Sequence, residues 1–318
     1  MPELSPEQHD DPNCLSQSQF WIAKDVIEPW LSRYTSRQWL CAFRDITSGV
    51  VLRTCISAII PRVGPVDPCR SIFFPETIPA ATACSFIAAL NSFVFDYVAR
   101  QSVSGTHLAI FVMKQLPLPS PSQYGESLWA DGSLTQWIYD RVLELTYTAW
   151  DLEPFAQDCG WSGPPFRWDE ERRFLLRCEL DAAFFHLYLP AEAIGAWRWV
   201  EGETAEDLER LKASFPTPRD AVAYIMDTFP IVRRKDEEKH GEYRTKRVIL
   251  EIYDEMAEAM RTGKPYHTRL APPPGPPADD HGNSLPLPEW NPGHPKPTNW
   301  PSHIHPPREG LESRNVRK

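Results

Sequence analysis

The stretch from residue 89 to residue 121, ALNSFVFDYVARQSVSGTHLAIFVMKQLPLPSP, sets an apolar helical run against a hydroxyl-rich loop and a second apolar run. The first run ends in Arg100-Gln101, and the loop carries Ser104, Gly105, Thr106 and His107. The second run stops at Pro117 and Pro119, where missing N–H groups and fixed φ angles end regular structure. Upstream, Ala83, Phe86, Ile87, Leu90, Phe93, Val94, Tyr97 and Val98 recur at three-and-four spacing. That spacing predicts one packing helix over about 80–100, with Pro79 at its start. HLAIFVMKQLPLP then reads as a strand or a short helix.

Before this stretch the texture is β-like. WLCAFRDITSGVVLRTCISAIIPRVGP alternates apolar and polar residues, with turn chemistry at Ser48-Gly49 and at Pro61 to Pro65, and predicts strands at about 39–46 and 50–60. After it, residues 120 to about 165 form a helical bridge. Asp169 is placed to cap a helix over EERRFLLRCELDAAFFHLY, and Thr217-Pro218-Arg219-Asp220 carries a cap, an N1 proline and an acid three residues on. EYRTKRVILEIYDEMAEAM follows with a core stripe of Ile249, Ile252, Tyr253, Met256 and Met260. The fold class expected is α+β. A disordered lead-in (1–19) precedes a small irregular sheet with a packing helix (20–120). A mainly helical region (121–264) and a disordered, dispensable Pro-rich tail (265–318) complete the chain.

The chain has 318 residues, 42% apolar and 24% charged, enough to bury a sizeable core. Its 33 prolines are concentrated at the C-terminus, which predicts that the tail has nothing to pack. The formal charge of −10 argues against a generic nucleic-acid coat, yet residues 31–120 carry eight Lys/Arg against four acids. Seven cysteines without a Cys-x-x-Cys pair fit neither a disulfide framework nor a zinc site. The polar, acidic N-terminus is unlike a signal peptide, and no apolar run approaches the ~20 residues of a membrane span. The reading is a cytoplasmic protein without a membrane partner.

Motif chemistry is mostly absent. There is no Gly-x-Gly-x-x-Gly, P-loop, Gly-x-Ser-x-Gly or His-Glu-x-x-His. SGPPF at 162–166 lacks the Asn or Asp that amino-methylating enzymes place before Pro-Pro, and reads as a turn. KDEEKHGEYR at 235–244 reads as a solvated helical face. The tail histidines (His281, His294, His303, His305) imply no metal site. What remains is Arg44, Arg53 and Arg62 flanking the strands, with Arg100, Gln101, Ser104, Gly105, Thr106, His107 and Lys114 around the loop. Arg, Gln and Lys read base edges, hydroxyls and loop N–H groups hold phosphates, and glycine permits close approach of the backbone. These ten residues are the candidate DNA-binding set, and no catalytic, cofactor-binding or metal-binding residue is assigned.

Four blocks carry a family resemblance: FRDITSGVVLRTCISAIIPRVG, AALNSFVFDYVARQSVSGTHLAIFVMKQLPLP, FRWDEERRFLLRCELDAAFFHLY and YIMDTFPIVRRKDEEKHGEYRTKRVILEIYD. Together they resemble the C-terminal region of large adenine-N6 DNA methyltransferases, the type IIG restriction–modification enzymes and the BREX- and DISARM-like phage-defence methylases. The module concerned is the TaqI-like specificity, or target-recognition, domain. The match runs from about Phe20 to about Met260, with a less familiar stretch at 189–215.

The resemblance implies recognition of double-stranded DNA, with S-adenosylmethionine bound by a separate methyltransferase chain or domain and no cofactor in this chain. In relatives a catalytic domain with an Asn-Pro-Pro-aromatic motif lies N-terminal to the module. This chain begins almost where the module begins, so it is expected to act as a split or truncated specificity part, not catalytic alone. The rival expectation is a protein–protein adaptor that docks on a methylase or helicase through the tryptophan-rich helical half without touching DNA.

Overall fold

The computed structural model describes residues 4–15, 22–65, 67–103, 105–125, 128–130, 132–192, 195–198, 204–279, 285–290 and 294–308. Among them are twelve α-helices and a three-stranded antiparallel sheet, an α+β architecture. The strands are β1 (Trp39–Arg44), β2 (Ser57–Pro61) and β3 (Cys69–Ile72), in the order β2-β1-β3. Central β1 pairs Cys41 with Ile59 on one side and with Ile72 on the other. Its WLCAFR run is buried except for Arg44, as a strand covered on both faces requires. Strand β1 falls within its expected segment and β2 overlaps the end of the second, but residues 50–56 form a loop. Strand β3 lies among Pro65, Pro68 and Pro75, whose turn signals conceal it in the sequence.

The helices in chain order are α1 (Pro6–His9), α2 (Lys24–Leu31), α3 (Ala80–Asn91), α4 (Phe93–Ser102), α5 (Ile110–Met113), α6 (Leu134–Thr146), α7 (Glu153–Asp158), α8 (Glu170–Tyr188), α9 (Ala205–Ser214), α10 (Pro218–Asp227), α11 (Pro230–His240) and α12 (Arg244–Thr262). The single helix expected over 80–100 is two helices bent by 61°. Ser92 takes an extended conformation (ψ 150°) and its side chain accepts the Phe95 N–H, so it caps α4. Asn91 turns outward and bonds the Ser57 backbone twice, accepting from its N–H at 3.0 Å and donating to its carbonyl at 2.9 Å. The Asn-Ser pair thus ends one helix, ties it to the sheet edge and starts the next. A hydrophobic stripe alone cannot register that bend, because both helices keep the spacing.

Helices α8 and α12 form the centre of the helical half. Asp169 caps α8 by accepting from the Arg172 N–H, and Thr217 with Asp220 forms a capping box at α10. His186 of α8 stacks on Tyr253 of α12 at 3.8 Å, with Nε2 against the Tyr253 carbonyl. Burial pushes its pKa down to about 4, which keeps the ring neutral. One hydrophobic cluster runs from Trp39 through α3, α6, α8, α10 and α12 to Trp300 and Ile304. The core therefore does not stop at residue 120, and the sheet and the helices share it. A smaller cluster (Phe43, Cys55, Leu90, Phe95, Ala99, Leu108, Leu116) fixes α4 and the following loop to the sheet.

Both ends of the chain depart from the expected disorder. Asp10 accepts from Arg167 and from the Trp168 N–H, and the Trp150 N–H donates to Pro12. Past Gly263 the described residues contain no helix or strand, as a proline-rich composition demands, yet they are packed. Tyr266, Leu270, Trp300 and Ile304 are buried, as are His303 and His305. The backbone of this strap finds side-chain and carboxylate partners in place of a ladder. The Tyr266 and Thr268 hydroxyls donate to Glu179, Gly275 N–H donates to Glu144, and Arg172 donates to the Pro272 and Pro273 carbonyls. Composition shows that no regular element forms there, but it does not show that nothing docks. Residues 309–318 lie outside the described residues.

Candidate nucleic-acid interface

The loop after α4 is pinned to the end of β1. Thr47 N–H donates to the Thr106 carbonyl at 2.9 Å and Leu108 N–H to the Asp45 carbonyl at 2.8 Å, around an isolated bridge between Ile46 and His107. Asp45 is the hub. Its Oδ2 accepts from Arg70 Nε and Nη2 at 2.7 and 2.6 Å, and its Oδ1 lies 3.0 Å from His107 Nδ1. Burial pushes the Asp45 pKa up, but the Arg70 and His107 contacts outweigh it and hold the carboxyl below its ordinary value. Beside it, Arg70, His107, Ile110, Phe111 and Lys114 line a surface depression.

The ten candidate residues divide into two groups. Arg44, Gln101, Gly105, Thr106, His107 and Lys114 are exposed, and Lys114 makes no ion pair among the described residues. A Cβ at Gly105 would meet no atom within 4 Å, so the protein itself does not require glycine there. Ser104 lies outside the described residues.

Arg53, Arg62 and Arg100 are committed inward. Arg62 spans Glu28 (3.0 and 3.1 Å) and the Thr35 and Arg37 carbonyls, closing the turn after α2. Arg53 binds Asp96 at 2.7 Å and the Asn91 carbonyl, over the Phe93 ring. Arg100, expected at a DNA-facing edge, has a side chain only 8% exposed. It donates to the Val51, Leu52 and Thr228 carbonyls and stacks on Phe229 at 4.0 Å. The reason is common to all three. A guanidinium satisfies several acceptors at once: Arg62 and Arg100 take carbonyls that loops 32–38 and 48–56 leave unpaired, and Arg53 takes the buried Asp96 carboxylate with the Asn91 carbonyl at the end of α3.

Sequence reading missed Asp45 and Arg70 as site residues. An acid immediately after a strand, opposite an arginine on the next strand, was the available signal, but it needs β3 to be recognised first. It also passed over Ile110 and Phe111, which are 50% and 68% exposed.

No metal-ligand cluster of three or more His, Cys, Asp or Glu exists among the described residues, and no single helix there is long and apolar enough to cross a membrane. Comparisons with protein-family models, with curated proteins and with solved structures find no match for this chain.

Behind the loop, Asp181 of α8 caps the start of α4. Its Oδ1 accepts the Phe93 N–H at 2.7 Å, while burial raises its pKa to about 6. A folded pKa above the unfolded value of ~3.9 means the protonated form favours folding. The contribution is full below the unfolded pKa and is lost as pH rises through about 6. Asp181→Asn is therefore expected to remove a stability decrease between pH 4 and 7, measured by urea titration. An unchanged pH profile would show that Asp181 does not titrate in that window.

Proposed function

We propose that this chain recognises double-stranded DNA for site-specific adenine-N6 methylation in a restriction–modification or phage-defence system. It would serve as a specificity part beside a separate methyltransferase chain or domain that binds S-adenosylmethionine. A cytoplasmic location goes with this reading.

The observation that carries it is the exposed cationic rim around the pinned loop. Arg70, His107 and Lys114 line the depression beside Asp45, and Arg44 is exposed at the end of β1. Asp45 and the backbone bonds of Thr47 and Leu108 pin the loop, while Arg70 also pairs with Asp67. A pinned polar loop with Arg44, Arg70 and Lys114 nearby suits phosphate contacts, with Gln101 and Arg44 available to base edges. The resemblance of the sequence from about Phe20 to about Met260 to target-recognition regions supplies the reaction class.

A second reading is favoured by one feature of the same face. Val50, Ile46, Ile110 and Phe111 are half or more exposed, which suits a protein partner. Among the tryptophans, Trp129, Trp161 and Trp197 are buried in the protein itself and do not add to this adaptor reading, while Trp137, Trp150 and Trp168 are half-buried. Trp199 lies outside the described residues.

Salt separates the two. Fluorescence anisotropy with a pool of labelled duplexes is expected to show binding whose logarithm falls linearly with log salt, with a slope of about −2 to −3 for three phosphate-contacting cations. Lys114→Ala should flatten that slope by about one unit for every sequence and leave the folding stability within about 0.5 kcal/mol of the parent. Salt-insensitive binding, or none at 50 mM salt, would remove the DNA reading and leave the adaptor.

A further inference from the structure

A second feature lies away from the loop, at the seam between the sheet and the helical half. A cleft of about 500 Å³ opens between β2, the α3–α4 junction, α6 and α8. That volume falls in the ~300–1,000 Å³ range of small-molecule sites, which favour such seams. Its floor is apolar: Ile59, Ile87, Ala88, Val142 and Leu180 are buried there. Arg177 and Ile56, on its rim, are exposed.

Two buried polar atoms in the cleft lack the partners that buried polar groups ordinarily have, and an exposed arginine beside them is unpaired. Ser57, 7% exposed, carries a buried Oγ with no hydrogen-bond partner, although its backbone is fully engaged by Asn91. Arg173 donates from Nη1 to the Leu145 carbonyl at 3.0 Å and stacks on Trp168 at 3.5 Å, but its Nε is buried and unpartnered. One turn further along α8, Arg177 makes no hydrogen bond or ion pair among the described residues.

Like charges at this spacing repel. Burial, and then Arg177, push the Arg173 pKa down to about 10. The acid on the same helix face, Asp181, is occupied by the Phe93 N–H. Two guanidinium groups over an apolar floor, one with its Nε edge unused, are arranged for the bidentate contact that carboxylates and phosphates make.

We propose that this cleft binds a small organic anion with a ring-sized apolar body. Arg173 and Arg177 hold the anionic group, Ser57 Oγ donates to the ligand, and the Ile87–Val142–Leu180 floor receives the apolar part. The inference does not rest on the DNA reading, since the cleft shares no residue with the depression beside Asp45.

Phenyl phosphate is the probe, titrated calorimetrically into the full chain at constant ionic strength, with inorganic phosphate and phenol as its two halves. Saturable binding with Kd below about 1 mM is expected, with each half at least about tenfold weaker. Arg177→Ala should weaken phenyl phosphate at least about tenfold at an unchanged melting temperature, because the side chain is exposed and unpaired. Arg173→Lys, which keeps the charge but loses the fork, should weaken it similarly. No saturation by phenyl phosphate, or equal binding by parent and Arg177→Ala, would overturn the proposal. DNA affinity measured on the same Arg177→Ala protein should be unchanged, so a failure of the cleft and a failure of the DNA reading are separately visible.

Discussion

Ending the chain after Gly263 is expected to destabilise the protein by more than about 5 kcal/mol, a large share of a typical folding free energy of about 5–15 kcal/mol. Truncation tolerance follows from burial and hydrogen bonding, not from composition. The removed segment contributes Tyr266, Leu270, Trp300 and Ile304 to buried positions, and each large apolar side chain accounts for roughly 1.5–3 kcal/mol.

Truncation also strips partners from two buried ion pairs. Glu179 pairs with Arg141 at 2.8 Å and loses the Tyr266 and Thr268 hydroxyls. Glu144 pairs with Arg172 and loses the Gly275 N–H, while Arg172 loses two proline carbonyls. Hydrogen bonds to charged groups contribute about 1.5–3 kcal/mol each, and groups left buried cost more. Calorimetry should show the melting transition lowered by more than about 10 °C, or lost. Tyr266→Phe, which removes a single donor to Glu179, should cost about 1–3 kcal/mol. A truncated chain melting with the full-length protein would mean that the strap contributes nothing.

Asp96→Ala is the second large effect. Asp96 is fully buried, and its Oδ1 accepts the Thr54 and Cys55 N–H groups at 2.8 and 2.9 Å while Oδ2 takes Arg53 at 2.7 Å. Removing it strands two buried donors and a guanidinium that is 20% exposed, an expected loss of about 3–5 kcal/mol. Asp96→Asn keeps one acceptor and should fall between. Arg100→Ala, which an exposed side chain would tolerate within about 0.5 kcal/mol, is expected here to cost about 1–3 kcal/mol through three unpaired carbonyls and the lost Phe229 contact. Urea midpoints at constant m-value measure all three. If Asp96→Ala and Arg100→Ala both unfold with the parent, loop 48–56 is not held in this way.

The inward placement of these arginines bears on the DNA reading in two ways. Loss of Arg53, Arg62 and Arg100 narrows the candidate surface among the described residues to Arg44, Gln101, Gly105, Thr106, His107 and Lys114, joined by Arg70. It also explains how the surface stays rigid. Arg53 and Arg100, facing inward, brace loop 48–56, which lies next to the presented loop through the Thr47–Thr106 bond.

What the amino-acid order decided alone was local. Thr217 and Asp169 cap their helices because cap and first turn are neighbours in the chain, and the α12 stripe repeats within a few turns. The strand signals around Trp39 and Ile59, and the termination of regular structure by proline past Gly263, are likewise properties of short windows. Tertiary structure decided where the long polar side chains point and whether the proline-rich end docks. Arg53 meets an acid 43 residues away, and Arg100 a carbonyl 128 residues away. An arginine written between apolar residues looks the same whether it serves a nucleic acid or its own fold. The choice is made by which carbonyls and carboxylates the completed fold brings within about 3 Å of it, and that distance does not exist until the chain has closed.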